Sequence, residues 1–246
     1  MEIVAALAGA VSVLTSWIVG CRLLLLARRT RLAPELLLGV GLLLLGGCWA
    51  PLVAVGRQAT ALSDDARLLT IVIGSLAGVI GMTALAAFNW RVFRPDAAWA
   101  RALVCAVALA LTACFAARSA AGAWTLEPGR EGVWVVVQWI GVGLYAWASA
   151  EAWIQHRMAA RRRLLGLADP VVVDRLRLWL MALGSAAVSS TVLAILESAG
   201  IPVGGTTVGL IVAGVGATLG SACLWLAFLP PTSYLARVRR VAAATA

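Results

Sequence analysis

Apolar stretches of about 20 residues recur along this chain, and its charges gather in the short segments between them. A stretch of that length, wound as an α-helix, crosses the hydrocarbon core of a bilayer. With 62% hydrophobic residues, 13% charged residues and a mean hydropathy of +0.95, the chain has too little polar surface for a soluble domain of its size. Seven spans read at 3–27, 36–56, 68–92, 98–117, 132–155, 176–199 and 205–229. The fourth is the weakest, because Arg101 lies near its start. Short connections make one all-α polytopic membrane bundle over residues 1–246 a better reading than two domains.

All 20 basic side chains are arginine. Arg22, Arg28, Arg29, Arg31, Arg91, Arg94, Arg101, Arg157, Arg161, Arg162, Arg163, Arg175, Arg177, Arg237, Arg239 and Arg240 fall on one side of the spans. Arg57, Arg67, Arg118 and Arg130 fall on the other. The positive-inside rule then puts the N-terminus outside and the C-terminus in the cytoplasm, in a bacterial cytoplasmic membrane. The net charge of +9 is mostly an inner-face charge, with Arg28, Arg29, Arg91, Arg94, Arg161, Arg162 and Arg163 as its core. Such a face attracts anionic lipid headgroups, at about 1 kcal/mol per basic residue. Membrane lipids, a small apolar ligand and a second copy of the chain are the expected partners. Nucleic acid is not, because the arginines flank spans and form no separate basic domain.

Met1-Glu2 is an acidic start where a signal peptide would be basic. Ile18-Val19-Gly20-Cys21 has the look of a lipoprotein cleavage site, but the apolar run continues through Leu26. Cys21, Cys48, Cys105, Cys114 and Cys223 all fall within spans, without C-x-x-C spacing, and read as small packing residues.

The chain also carries an internal echo. Trp90, Phe93 and Pro95 spell W-x-x-F-x-P, as do Trp225, Phe228 and Pro230, 135 positions later. At the same offset Gly74, Gly81, Thr83 and Ala87 match Gly209, Gly216, Thr218 and Ala222, and Arg22, Arg28, Leu32 and Ala33 match Arg157, Arg163, Leu167 and Ala168. The echo suggests parallel three-helix units at 1–95 and 136–230 joined by a linker helix at 98–117, a 3+1+3 repeat. Both motifs are also plain helix terminators, since proline cannot continue a helix and tryptophan suits the headgroup layer. The longest inner connection follows Arg161-Arg162-Arg163. Gly166 can end one helix there, and Asp169 can cap the next with Pro170 at its first position. That segment reads as a docking surface or as a stop-transfer signal with a cap. The outer connections, 58–67, 119–131 and 200–205, are too short for a domain, and the small-residue tail 241–246 reads as mobile.

Polar residues inside the spans are the site candidates. Gln138, Tyr145, Ser149 and His156 share one face of the fifth helix, with Trp134 four residues before Gln138. That face either lines a cavity or hydrogen-bonds to another helix. Glu151, one turn after Trp147, is either a functional ionisable group or the partner of an arginine such as Arg22, Arg91 or Arg157. Glu197, near the outer end of the sixth span, is either a proton or cation site or a hydrated interfacial glutamate. Asn89 crowds the inner end of the third span beside Trp90, Arg91 and Arg94, where it could meet backbone or ligand. Trp49, Trp139 and Trp147 lie deeper than the other tryptophans, in packing or in a cavity wall. Gly74-x-x-x-Gly78 marks close helix contact.

One histidine and no cysteine pair make a metal cluster implausible, and no cofactor is expected. G-x-S-x-G, phosphate-loop and dinucleotide motifs are absent, and without lysine there is no Schiff base of the usual kind.

Seven spans, an outside N-terminus and a 3+1+3 echo resemble the SWEET and PQ-loop transporter architecture, and the span count and orientation are also similar to microbial rhodopsins. Neither Pro34 nor Pro170 is followed by glutamine, and the rhodopsin lysine is missing. Asn89-Trp-Arg-Val-Phe-Arg-Pro95, Tyr145-x-Trp-x-x-x-Glu151, Gly166-Leu-Ala-Asp-Pro170 and Phe228-Leu-Pro-Pro231 resemble an uncharacterised group of bacterial seven-helix integral membrane proteins. That resemblance implies no activity. Sparse intramembrane charge favours a receptor-like or sensory bundle that binds a small apolar ligand or lipid and signals through its basic cytoplasmic face. The alternative is a SWEET-like facilitator or transporter of a small solute, which the echo favours. A membrane-embedded enzyme is disfavoured, for want of a catalytic constellation.

Overall fold

The structure, a computed structural model, describes residues 2–126, 132–201 and 206–244. Arg130, the end of the 119–131 connection and most of the 200–205 connection lie outside the described residues. The seven expected spans form as α1 (Glu2–Thr30), α2 (Ala33–Gln58), α3 (Asp64–Phe93), α4 (Ala98–Ala120), α5 (Gly132–Leu164), α6 (Pro170–Ser198) and α7 (Thr207–Phe228). Each is long and apolar enough to cross a membrane. Arg101 does not interrupt α4; it is exposed one turn from the helix start.

Local chemistry sets the helix ends. Asp169 caps α6 by accepting from the Val171 N–H at 2.8 Å, and Pro170 occupies the first turn. Gly166, at φ 68°, ends α5 with the Leu167 N–H on the Arg162 carbonyl and its own N–H on that of Arg163, a Schellman arrangement. Ser63 and Thr206 cap α3 and α7 through their hydroxyls.

An eighth helix, α8 (Thr232–Ala244), follows Pro230 and Pro231. The prolines do end α7, residues 241–244 continue α8, and residues 245–246 lie outside the described residues. Tyr234, Leu235, Val238 and Val241 alternate with Arg237, Arg239 and Arg240 at helical spacing, giving α8 one apolar and one cationic side.

A second feature is absent from the sequence reading. The middle of α2, Leu42–Trp49, is wound as a π-helix. Pro51, just beyond it, has no N–H to offer the preceding turn, and the Gly47 carbonyl instead accepts from Trp17 Nε1 of α1 at 3.0 Å. The approach requires glycine: a Cβ on Gly47 would lie 2.9 Å from that same nitrogen.

Neighbours in sequence are neighbours in space. α1 packs on α2, α2 on α3, α5 on α6 and α6 on α7, and α7 returns to α1. α3 also meets α5, while α4 lies across both. Six helices thus form a closed ring, with α4 outside it. Gly74, Gly78 and Gly81 all face α2, against Val53, Trp49 and Leu45. Gly216 faces Ser189 of α6. These small residues bring the backbones close enough for dispersion contacts to hold helices together where lipid removes the hydrophobic drive. The α8 helix docks on α6.

Local geometry is alike at three pairs of positions 135 apart. Arg31, at φ 56°, is the one non-glycine with positive φ among the described residues, and Gly166 has φ 68°. Arg94 (φ −140°, ψ 50°) matches Leu229 (φ −131°, ψ 47°), and each donates its N–H to the carbonyl of the motif tryptophan. The Thr83 and Thr218 hydroxyls each donate to a carbonyl four residues back at 2.8 Å.

Candidate functional site

Glu151 sits on the α3 side of α5, near the arginine-rich end, with only 5% of its side chain exposed. Its Oε1 accepts from Arg94 Nε at 2.8 Å and from Trp147 Nε1 at 3.4 Å. The cation comes from the C-cap of α3, where the helix dipole also favours it, rather than from Arg22, Arg91 or Arg157. The hydrogen bond and the charge of Glu151 both raise the Arg94 pKa. Trp99 packs at 6.0 Å from Trp147. Glu151 Oε2 is buried without a hydrogen-bond partner, as are both side-chain polar atoms of the fully buried Asn89.

Glu197 organises the other end of the bundle. Its Oε2 accepts from Trp134 Nε1 at 2.9 Å and from Gln138 Nε2 at 3.0 Å, both on α5. Trp139 Nε1 donates to Ser198 Oγ at 3.2 Å. The Trp134 ring also lies near two cations, the Arg57 guanidinium at 5.4 Å and that of Arg118 at 5.9 Å, with the Trp49 ring at 6.3 Å. Arg118 is buried, and it also stacks on Trp124 at 4.2 Å. Beside it is a small cavity of about 30 Å³ lined by Trp49, Ser75, Met82, Phe115 and Trp134, among others. That volume suits one or two water molecules, and Ser75 Oγ, otherwise unpartnered, would be a hydrogen-bonding site for one.

The polar face of α5 therefore serves mostly as a seam with α6. Gln138 meets Glu197, Ser149 lies opposite Gly184, and His156 Nδ1 lies 3.3 Å from the Val173 carbonyl. Tyr145 is half-buried against the core. The sequence stripe is real, and in this structure it is used for helix–helix contact. Among the basic-face arginines, Arg28, Arg29, Arg91, Arg161 and Arg162 are exposed, and Arg163 is half-buried. Arg91 lies over the Trp90 ring at 4.4 Å. Among the described residues no three His, Cys, Asp or Glu side chains could hold a metal ion.

Sequence reasoning missed an open groove of about 890 Å³ at the arginine-rich end. It lies between α5, α6 and α8; α5 contributes Arg157, Arg161 and Arg163, α6 contributes Arg177 and α8 contributes Arg237. Tyr234 of α8 donates its hydroxyl to Asp174 Oδ2 at 2.6 Å, tying α8 to α6. Burial and that carboxylate push the Tyr234 pKa up to about 12. The signal that could have revealed the groove was the pairing of apolar and arginine positions after Pro231.

No protein-family model, curated protein or solved structure matches this chain.

Proposed function

We propose that this chain is a receptor-like or sensory integral membrane protein that binds a lipid or other small apolar ligand at its arginine-rich end and signals through that face. In this reading the arginine-rich end is cytoplasmic and the N-terminus outside. One observation carries it. The groove of about 890 Å³ has the size of a ligand site, whereas the small cavity of about 30 Å³ beside Arg118 has room for water alone. The carboxylates within the spans fit the same reading, because Arg94 and Trp147 hold Glu151, and Trp134 and Gln138 hold Glu197. Native mass spectrometry of the purified protein tests it: a lipid or apolar molecule should copurify, and proteoliposomes should show no solute flux.

A SWEET-like facilitator is the second reading, and the recurrence at the offset of 135 favours it. A rotation carrying α1–α3 onto α5–α7 would turn the α7–α1 contact into the α3–α5 contact and leave α4 outside as the linker, and both contacts are present. Arg31 with Gly166, and Arg94 with Leu229, would then be equivalent positions. We therefore also propose the 3+1+3 repeat. Flux of a small solute in proteoliposomes, with no retained lipid, would establish the transporter over the receptor.

A further inference from the structure

We infer that the groove between α5, α6 and α8 binds the phosphate headgroup of an anionic glycerophospholipid, which clasps α8 to the bundle. The inference rests on the receptor-like reading and supplies its ligand class and its moving part.

The first argument is charge. Arg157, Arg161, Arg177 and Arg237 reach the groove from three separate helices, and none forms an ion pair with a described residue. With Arg163, five like charges line one concavity and repel, so an anion placed among them is favoured. Guanidinium forks match phosphate oxygens in geometry as well as charge. Asp174 is the carboxylate in the lining, and the Tyr234 hydroxyl already donates to it. Arg157 is further positioned by its stacking over Trp153 at 5.8 Å.

The second argument is the apolar lining, which separates a lipid from a free phosphate. Trp153, Leu164, Val173 and Val238 share the groove with the arginines. Trp153, which lies within the fifth span, is the lining side chain suited to contact an acyl chain. An interfacial helix with its cationic side turned to headgroup level completes the arrangement. A lipid phosphate held by Arg237 on one side and by Arg157 or Arg177 on the other would bridge α8 to α5 and α6, adding to the Tyr234–Asp174 bond.

The test uses the full chain in detergent, exchanged with vesicles of phosphatidylcholine or phosphatidylglycerol and read by native mass spectrometry. The wild type should retain phosphatidylglycerol over phosphatidylcholine. Arg177→Gln with Arg237→Gln should weaken that retention about tenfold. Arg239→Gln, which removes one charge from α8 outside the groove, should not. A photoreactive headgroup on the wild type should label peptides of α5, α6 and α8, a measurement that needs no variant. Equal retention of the two lipids, labelling elsewhere, or an equal loss in Arg239→Gln would overturn the phosphate site while leaving lipid binding standing. Displacement by inorganic phosphate would overturn the lipid as ligand. No retained lipid of any kind, with solute flux, would remove the receptor reading itself.

Discussion

Arg94 and Glu151 are 57 positions apart in the chain and 2.8 Å apart in the fold. The pair closes the arginine-rich end of the contact between α3 and α5. Glu151→Gln keeps the shape and removes the charge, so it should lower Tm by about 3–6 °C in detergent. Ligand binding or transport should persist in the molecules that still fold. Normal melting combined with lost activity would make Glu151 a functional group and not a structural one.

Close approach of α2 and α3 at Gly81 gives a second expectation. A Cβ there would lie 2.8 Å from the Leu45 backbone nitrogen, which cannot swing aside as a side chain can. Gly81→Ala should cost about 1–3 kcal/mol by overpacking. Gly143→Ala, where the added methyl meets nothing within 4 Å, should be neutral or slightly stabilising through helix propensity. Thermal unfolding of the two variants side by side checks this, and equal losses would refute the close-contact argument.

The hydroxyl of Tyr234 makes the docking of α8 depend on pH in a defined window. Its pKa rises from 10.0 to about 12 on folding, so the protonated form is the one favoured in the docked state. That contribution is complete below pH 10 and is lost as the pH rises to about 12. Proteolytic cleavage of α8 should accelerate across that window in the wild type. Tyr234→Phe should cleave faster at neutral pH and lack the same step.

Orientation can be read by labelling single cysteines in a background with the five native ones replaced. A cysteine at Ala61, in the connection between α2 and α3, should react from outside the cell. One at Leu165, after α5, should react only from the cytoplasm. The reverse pattern would overturn the positive-inside argument.

The spans were legible because each is specified within its own residues. Hydropathy marks the length, and Gly166, Asp169 and Pro170 mark the ends by chemistry that needs no distant partner. What escaped the sequence reading depends on packing. Nothing near Glu151 in the chain singles out Arg94 over Arg91, since the choice follows from how α3 ends. Gln138 was recognised as polar and Glu197 as costly, but their bond needs the antiparallel register of α5 and α6. The groove escaped because α8 looked like the remainder of a helix stop. Its apolar positions gain meaning only when α6 lies beneath them.

Winding α2 as a π-helix over Leu42–Trp49 gives that stretch more residues per turn than an α-helix, which makes it tolerant of changes in length. Removing one residue there can be absorbed by tightening the turn toward ordinary α winding, leaving both halves of the helix facing as before. The same deletion elsewhere in α2 would rotate everything beyond it by about 100°, moving Trp49 or Val53 off the α3 glycines. Within this span, then, the tolerated indel is expected in the middle of the membrane and not at its edges.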